Sequence, residues 1–248
     1  MTDDIEHSMD SWGNWDSYHH EFDKFQQDAY TLILWPLSAA ISHLKQEAEA
    51  EDQKLEPKLS LSKGEDGEHY AELQQRNWQY FEDQERFLRN MALVGLLSRL
   101  IHTLRHMAHT SESIKPRKGS YPGTGELAQL WTEFTQRFGL DFSHHQETIS
   151  YLDRLRLVRN QIVHDGGEAN KMKPLGESKI LPDGTFDMLD TKFSDKFPEF
   201  VHGSDFSAEV EVSEQQLDLG IERSIEMVKW ISEQLRAKEL VAVNTKRG

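Results

Sequence analysis

An apolar pattern in the middle of the chain most strongly limits the fold. Between positions 93 and 108, apolar residues recur three and four positions apart, which is the spacing of one face of an α-helix. The pattern predicts a long helix from about Tyr70 to Thr110 that buries a broad stripe, and a helix of this kind needs other helices to cover it. The stripe consists of Leu93, Leu96, Leu97, Leu100, Ile101, Leu104, Met107 and Ala108.

Four further helices can be placed around this one, and proline, glycine or charged segments interrupt or end them. We expect a helix over about 21–51 that Pro36 kinks or interrupts, then a charged loop over 52–68. A loop rich in Pro and Gly should follow at 115–123, with a helix over about 125–138 stopped by Gly139. The next helix should run over about 145–163 and end at Asp165-Gly166-Gly167. The last should extend to about residue 240, where Ser213 and Gln216 form a capping box at its start.

Residues 168–212 differ in composition from the predicted helices, because they contain several Pro and Gly residues. The segment 180–186 predicts a β-hairpin and 206–212 a short strand. The fold class is therefore all-α, a helical bundle with a small β-hairpin-containing insertion before the last helix. We expect an aromatic-rich N-terminal arm over 1–20, one domain over 21–240 with the insertion at about 168–212, and a tail over 241–248.

Composition excludes several classes of protein. The chain of 248 residues contains no cysteine, so disulfides and thiolate metal sites are excluded and a reducing compartment is expected. The acidic N-terminus predicts no secretory signal, and the apolar runs are too short to cross a bilayer. These features predict a cytoplasmic protein that does not associate with membranes.

Charge is unevenly distributed along this acidic chain, whose formal net charge is −15. Residues 86–118 contain seven lysines and arginines against one acid, and residues 151–164 contain three arginines against one acid. The net charge of these segments is +6 and +2. Two basic islands in an acidic chain favour a local polyanion site over a general nucleic-acid-binding surface.

The candidate chemistry lies in the run Arg159-Asn160-Gln161-Ile162-Val163-His164. A polar residue directly follows the arginine, two β-branched residues precede the histidine, and Asp-Gly-Gly closes the helix. This run resembles the R-x4-6-H motif of HEPN (higher eukaryotes and prokaryotes nucleotide-binding) domains. The order of the helices is similar over roughly residues 70–240, with the motif near the end of a late helix.

The resemblance implies a ribonuclease in which a symmetric homodimer brings two motifs together. His164 would transfer protons, Arg159 would hold the scissile phosphate, and Asn160 would orient the histidine or bind a phosphate oxygen. The ribose 2′-OH would attack the adjacent phosphate without a metal or other cofactor. A role as a toxin or an antiviral defence effector, with an antitoxin or regulatory partner protein, is also implied.

The helical wheel adds an observation that is independent of the family. Residues 151, 152, 155, 158, 162 and 163 form an apolar face, and Arg159 falls at its centre. A buried arginine is costly unless an anion satisfies it, so we expect an internal salt bridge, an interface position or a cleft between two copies. His164 lies roughly 140° from Arg159 around an ideal helix. Either the helix ends loosely at His164, or the site combines groups from two subunits.

A polar stripe lies opposite the leucines of the long helix and includes Arg99, His102 and His106, with Gly95, Ser98 and His109. It is a solvated face, an RNA-contacting surface or, from the histidine spacing, a metal site. In the second interpretation Arg99, His102, Arg105, His106 and Arg156 bind the RNA backbone. Our leading hypothesis is a dimeric ribonuclease; the alternatives are a catalytically silent HEPN module that binds a nucleotide, an RNA end or a protein, and a His-ligated metalloprotein.

Overall fold

The computed structural model describes residues 17–62, 64–110, 126–169, 172–180, 186–203 and 208–246. Helix α1 (residues 17–28) passes through a π-helical segment, Ala29–Leu34, into α2 (Trp35–Leu61), and a short connection leads to α3 (Glu65–Thr110). After the gap follow α4 (Glu126–Phe138) and α5 (Gln146–Asp165). The chain ends with β1 (Met172–Ile180), β2 (Phe186–Lys192), α6 (Phe193–Lys196), β3 (Val201–His202), β4 (Glu209–Val210) and α7 (Glu214–Lys246).

The all-α fold with a small hairpin before the last helix is confirmed. β1 and β2 pair antiparallel, with Ile180 opposite Phe186, and β3 pairs with β4 in a second two-stranded sheet. The strand predicted over 206–212 is thus reduced to two described residues. The predicted aromatic arm up to residue 16, the loop at 115–123 and the hairpin turn at 181–185 lie outside the described residues.

The leucine stripe forms the centre of the bundle, as predicted. Its eight members are all buried, and α4, α5, α7 and the π-helical segment pack on α3. Tyr18 and Phe25 bring α1 into the same core, and Tyr18 donates a 2.7 Å hydrogen bond to the buried Glu239 of α7. The predicted capping box is also present: Gln216 N–H donates to Ser213 Oγ at 3.2 Å, and Ser213 N–H donates to Gln216 Oε1 at 2.8 Å.

The predicted loop over 52–68 is wrong, because residues 52–61 continue α2 along α3. Tertiary partners support this polar segment: Trp78 and Gln74 of α3 donate to the carboxylate of Asp52, and Asn77 donates to the carbonyl of Ala48 at 2.8 Å. Pro36 does not break the chain's helical path. The interruption is instead the π-helical segment just before it, where Trp35 N–H donates to Tyr30 C=O.

Two helical glycines differ in the space around them. Gly95 on α3 is exposed, and a Cβ added there would have no neighbouring atom within 4 Å. A Cβ on Gly220 of α7 would instead lie 2.8 Å from Leu155 Cδ1. Gly220 therefore allows α7 to approach the buried leucines of α5 and α3 closely.

We expect Gly95→Ala to raise the free energy of unfolding by about 1 kcal/mol, since alanine favours the helix and meets nothing. Gly220→Ala should lower it by about 1–2 kcal/mol, because overpacking outweighs the same gain in helix propensity. Urea denaturation of both variants measures the difference. Equal stabilisation by the two alanines would contradict the close packing of α7 on α5.

Candidate functional site

The predicted motif lies on the last two turns of α5, which end in a well-formed cap. The helix continues through His164 to Asp165, and Gly166 adopts the left-handed conformation with φ 64°. Gly166 N–H donates to Gln161 C=O, and Gly167 N–H donates to the same carbonyl at 3.2 Å, so the glycine cap satisfies the end of the helix. The expectation of a helix that ends loosely at His164 is therefore wrong.

The loop behind this cap is held by a short strand. Val210 N–H of β4 donates to Gly167 C=O at 2.7 Å, and the side-chain amide of Gln161 donates to Glu168 C=O. The end of α5 is thus bound to the insertion on one side and by its own cap on the other. His164 is carried on a backbone with little freedom to change direction.

Arg159 lies at the edge of the buried face of α5, and not at its centre as predicted. The buried residues of the helix are Thr148, Leu152, Leu155, Val158, Gln161 and Asp165, whereas Val163 is 47% exposed. The predicted apolar face is thus too wide, because Val163 does not enter the core. The Arg159 side chain is half-buried, at the border between core and solvent.

Among the described residues, Arg159 has no carboxylate partner. Its Nη1 donates to Asn160 Oδ1 at 3.1 Å, and its buried Nε has no hydrogen-bond acceptor. The other half-buried arginines of the described ranges each lie near a carboxylate; among them Arg156 lies 3.5 Å from Asp153 and Arg99 lies 2.6 Å from Asp28. Arg159 therefore retains donors for an anion that this part of the chain does not supply. The internal salt bridge that was one of the expectations for Arg159 is not present among the described residues.

Asn160 and His164 complete the motif in different ways. Asn160 is half-buried and accepts from Arg159, so in this structure it positions the arginine and not the histidine. His164 is exposed, and no described residue hydrogen-bonds to its ring. Since the helix is regular through both positions, Arg159 and His164 point in directions that differ by roughly 140°. One copy of the helix does not direct both groups at one phosphate.

The two basic islands are largely neutralised by ion pairs within the described part of the chain. Arg86 lies near Asp83 and Glu209, and Arg89 lies 2.8 Å from Glu85 and 3.3 Å from Glu211. Arg154 lies 3.5 Å from Glu199, and burial raises the pKa of Asp153 although the adjacent Arg156 lowers it. The acidic partners of Arg86 and Arg89 lie outside the +6 segment in the sequence. The net charge counted along that segment therefore overstates how positive the surface around it is. Lys115, Arg117 and Lys118 are outside the described residues.

The polar stripe of α3 is only partly accessible to a ligand. Arg99 is 21% exposed and pairs with Asp28 of α1. The interpretation of the stripe as an open surface is therefore wrong at Arg99, because α1 packs over this residue. His106 lies 3.5 Å from Glu21 of α1, while His102 and Arg105 are exposed. No cluster of three or more His, Asp or Glu positioned for a metal occurs in the described ranges. RNA binding by the stripe stays a prediction, and His102, Arg105 and His106 are its exposed members.

We expect Arg99→Ala to lower the free energy of unfolding by about 1–3 kcal/mol, because it leaves Asp28 half-buried and unpaired. His102→Ala, one turn along the same stripe, should leave stability unchanged. Thermal denaturation and RNA affinity measured on both single variants separate the roles. Unchanged stability together with weaker RNA binding for Arg99→Ala would restore the stripe as a phosphate-binding surface.

A second feature near the motif escaped the sequence analysis. A cavity of about 650 Å³ opens beside the end of α5, between α3 and the β3–β4 sheet, and Gly166, Gly167, Phe87 and His202 are among its lining residues. Phe87 is 58% exposed and is one of three large apolar side chains of α3 that face solvent in the described ranges, with Tyr80 and Met91. The available signal was its place on the wheel, roughly 140° from Leu100 and so away from the leucine stripe.

Asn90 was also missed, and it joins the cavity wall to the core. Its Nδ2 donates to Val210 C=O at 2.8 Å, and its Oδ1 accepts from Val212 N–H at 3.1 Å. Asn90 thereby holds β4, and β4 holds Gly167 at the end of α5. A single asparagine inside a leucine-rich helix gives no sequence signal of this role.

No protein family, curated protein or solved structure gives a significant match to this chain. In the ranges that the structure describes, no helix combines the length and the apolar composition that a membrane span requires. The case for a function therefore comes from the geometry of α5 and its surroundings, with the motif resemblance as an independent hypothesis.

Proposed function

We propose that the chain forms a symmetric dimer through the exposed face of α5 and acts as a metal-independent endoribonuclease of the HEPN type. The observation that carries the proposal is Arg159, which is half-buried and has no carboxylate partner in the described ranges. An arginine in this position binds an anion with unusual strength, because its water has been partly removed and no acid competes for it. An exposed histidine five residues away supplies the group that phosphate chemistry requires.

The dimer follows from the geometry of the helix. Arg156, Arg159, Asn160 and Val163 form one continuous surface on α5, with the 47% exposed Val163 near its middle. Two such surfaces facing each other across a two-fold axis bury Val163 and place Arg159 of one copy near His164 of the other. Each site then uses Arg159 of one copy and His164 of the other, so the roughly 140° between these two side chains on a single helix does not keep them apart.

In the proposed reaction, His164 of one copy removes the proton from a ribose 2′-OH, and the 2′-oxygen attacks the adjacent phosphorus. The bond from phosphorus to the 5′-oxygen breaks, and His164 of the other copy supplies a proton to that leaving oxygen. Arg159 donates to the non-bridging oxygens, whose negative charge increases in the transition state. Asn160 keeps the guanidinium in place. The products carry a 2′,3′-cyclic phosphate and a 5′-hydroxyl.

An unrestrained ribonuclease damages the cell that makes it, so the proposal includes a role as a toxin or an antiviral defence effector. An antitoxin or regulatory protein would then cover the α5 surface or separate the two copies. The chain's acidity fits such restraint, because a −15 protein attracts free RNA only weakly.

The second candidate is a catalytically silent HEPN module that binds a nucleotide, an RNA end or a protein. The ion pairs that neutralise Arg86, Arg89 and Arg99 favour it, since they remove much of the positive surface that would attract a long RNA. Incubation of the purified protein with total RNA in EDTA separates the candidates. Cleavage supports the ribonuclease, binding without cleavage supports the silent module, and activity restored only by added metal supports neither.

Light scattering on the same sample tests the dimer. The proposal predicts a stable dimer at micromolar concentration that Val163→Asp converts to a monomer without loss of helical content. Full RNA cleavage by a monomer would overturn the composite site.

A further inference from the structure

The cavity beside α5 has the size and the lining of a nucleobase site. Its volume of about 650 Å³ lies within the usual range for small-ligand pockets, roughly 300–1,000 Å³. One wall is the Gly166–Gly167 cap of α5, and the opposite wall is the exposed face of α3 around Phe87. Both walls are made of described residues, and neither belongs to the motif itself.

Phe87 supplies the surface on which a base can stack. The ring is 58% exposed and lines the cavity, so much of its surface is open to a ligand there. Stacking on an aromatic ring stabilises any nucleobase, since every base has a flat π-face. Gln79, one of the cavity's exposed residues, has an amide free of described hydrogen bonds and can donate to or accept from a base edge.

The charge of the lining favours a base over a phosphate. Asp83 and Glu209 both lie near Arg86, so these three formal charges sum to −1, while His202, which also lines the cavity, lies 3.2 Å from Glu211. Carboxylate oxygens accept hydrogen bonds from the exocyclic amino groups of cytosine and adenine, whereas uracil presents a carbonyl oxygen at the equivalent edge. A phosphate group in the same position would be repelled.

The position of the cavity relates it to the motif. Gly166 follows His164 by two residues, so their Cα atoms lie at most about 7 Å apart. A base in the cavity would therefore lie close to the backbone that carries His164, although the His164 side chain does not itself line the cavity. We infer that this cavity binds an amino-bearing nucleobase, cytosine or adenine in preference to uracil, adjacent to the scissile phosphate; this inference rests on the proposed ribonuclease activity for the identity of the ligand.

The probes are adenosine, cytidine and uridine, which carry no phosphate and so do not engage Arg159. Isothermal titration calorimetry of the full chain should show saturable binding of adenosine and cytidine, with uridine at least fivefold weaker. Phe87→Ala should weaken adenosine binding roughly 5- to 150-fold. Trp35→Ala is the matched control, because Trp35 is an aromatic residue that is 65% exposed on α2 and is not among the lining residues of this cavity. It should leave adenosine binding unchanged.

The same variants separate failure of the inference from failure of the proposed function. His164→Ala should bind adenosine like the wild-type chain while losing RNA cleavage. Nucleoside binding by a protein that never cleaves RNA would support the cavity and reject the ribonuclease. Three results would each overturn the nucleobase site even if RNA is cleaved. They are no saturable binding of adenosine, equal affinity for uridine and adenosine, and an unchanged dissociation constant of adenosine for Phe87→Ala.

Discussion

His164→Ala should lower the rate of RNA cleavage by about 10²–10⁴-fold while the circular dichroism spectrum and melting temperature stay those of the wild-type chain. The ring is exposed and no described residue bonds to it, so its removal costs the fold nothing. His43→Ala is a suitable control, since His43 is exposed on α2 and its one ion-pair neighbour among the described residues is Glu47 of the same helix, at 3.6 Å. A cleavage rate within twofold of wild type for His164→Ala would reject the histidine as the proton-transfer group.

Arg159→Ala should have a comparable effect on the rate, and Arg159→Lys should restore only part of it. Lysine keeps the charge but has no planar fork for two phosphate oxygens. The loss should appear in kcat more than in KM, because the guanidinium interacts most strongly with the charge that develops in the transition state. An increase in KM alone would make Arg159 a residue that only holds the substrate.

Asn90→Ala should lower the free energy of unfolding by about 2–6 kcal/mol, a large effect on stability for one polar substitution. The amide is buried and satisfies two backbone groups, Val210 C=O and Val212 N–H, of two buried residues. Each orphaned group costs about 1–3 kcal/mol. Urea denaturation measures the loss.

Asn90→Asp tests the two hydrogen bonds separately. The carboxylate still accepts from Val212 N–H, but it has an acceptor oxygen in place of the N–H donor that bonds to Val210 C=O. It should destabilise the chain at neutral pH, where a carboxylate faces a carbonyl. Gln75→Ala on the exposed part of the same helix is the control and should change stability by less than about 0.5 kcal/mol. A loss no larger than the control's for Asn90→Ala would contradict the role of Asn90 in holding β4.

Local patterns predicted much of the fold. The spacing of the leucines indicated the buried face of α3, and Ser213 with Gln216 indicated the start of α7, because both depend on residues close together in the chain. The helical character of residues 52–61 could not be predicted, since it depends on Trp78 and Asn77 of the neighbouring helix. Polar helices of this kind are stabilised by their partner and not by their own composition.

The position of the candidate motif at the end of a helix could be predicted, but its geometry could not. The wheel placed Arg159 among apolar neighbours, yet it could not show that Val163 faces solvent and that the arginine lies at a border. The charge count could not show that Asp28 and Glu211, both distant in sequence, pair with Arg99 and Arg89. The cavity combines four separate segments of chain, and no spacing within one segment reveals it.

The central claim is that the end of α5 cleaves RNA through the ribose 2′-OH without a metal. The most direct measurement compares an oligoribonucleotide with the same strand carrying 2′-deoxyribose at the cleaved position, both in EDTA, with the product ends identified by mass spectrometry. We predict cleavage of the all-ribose strand with a 2′,3′-cyclic phosphate and a 5′-hydroxyl, and no cleavage at the deoxyribose position. Cleavage of the deoxyribose strand, products with a 5′-phosphate, or an intact all-ribose strand would contradict the account.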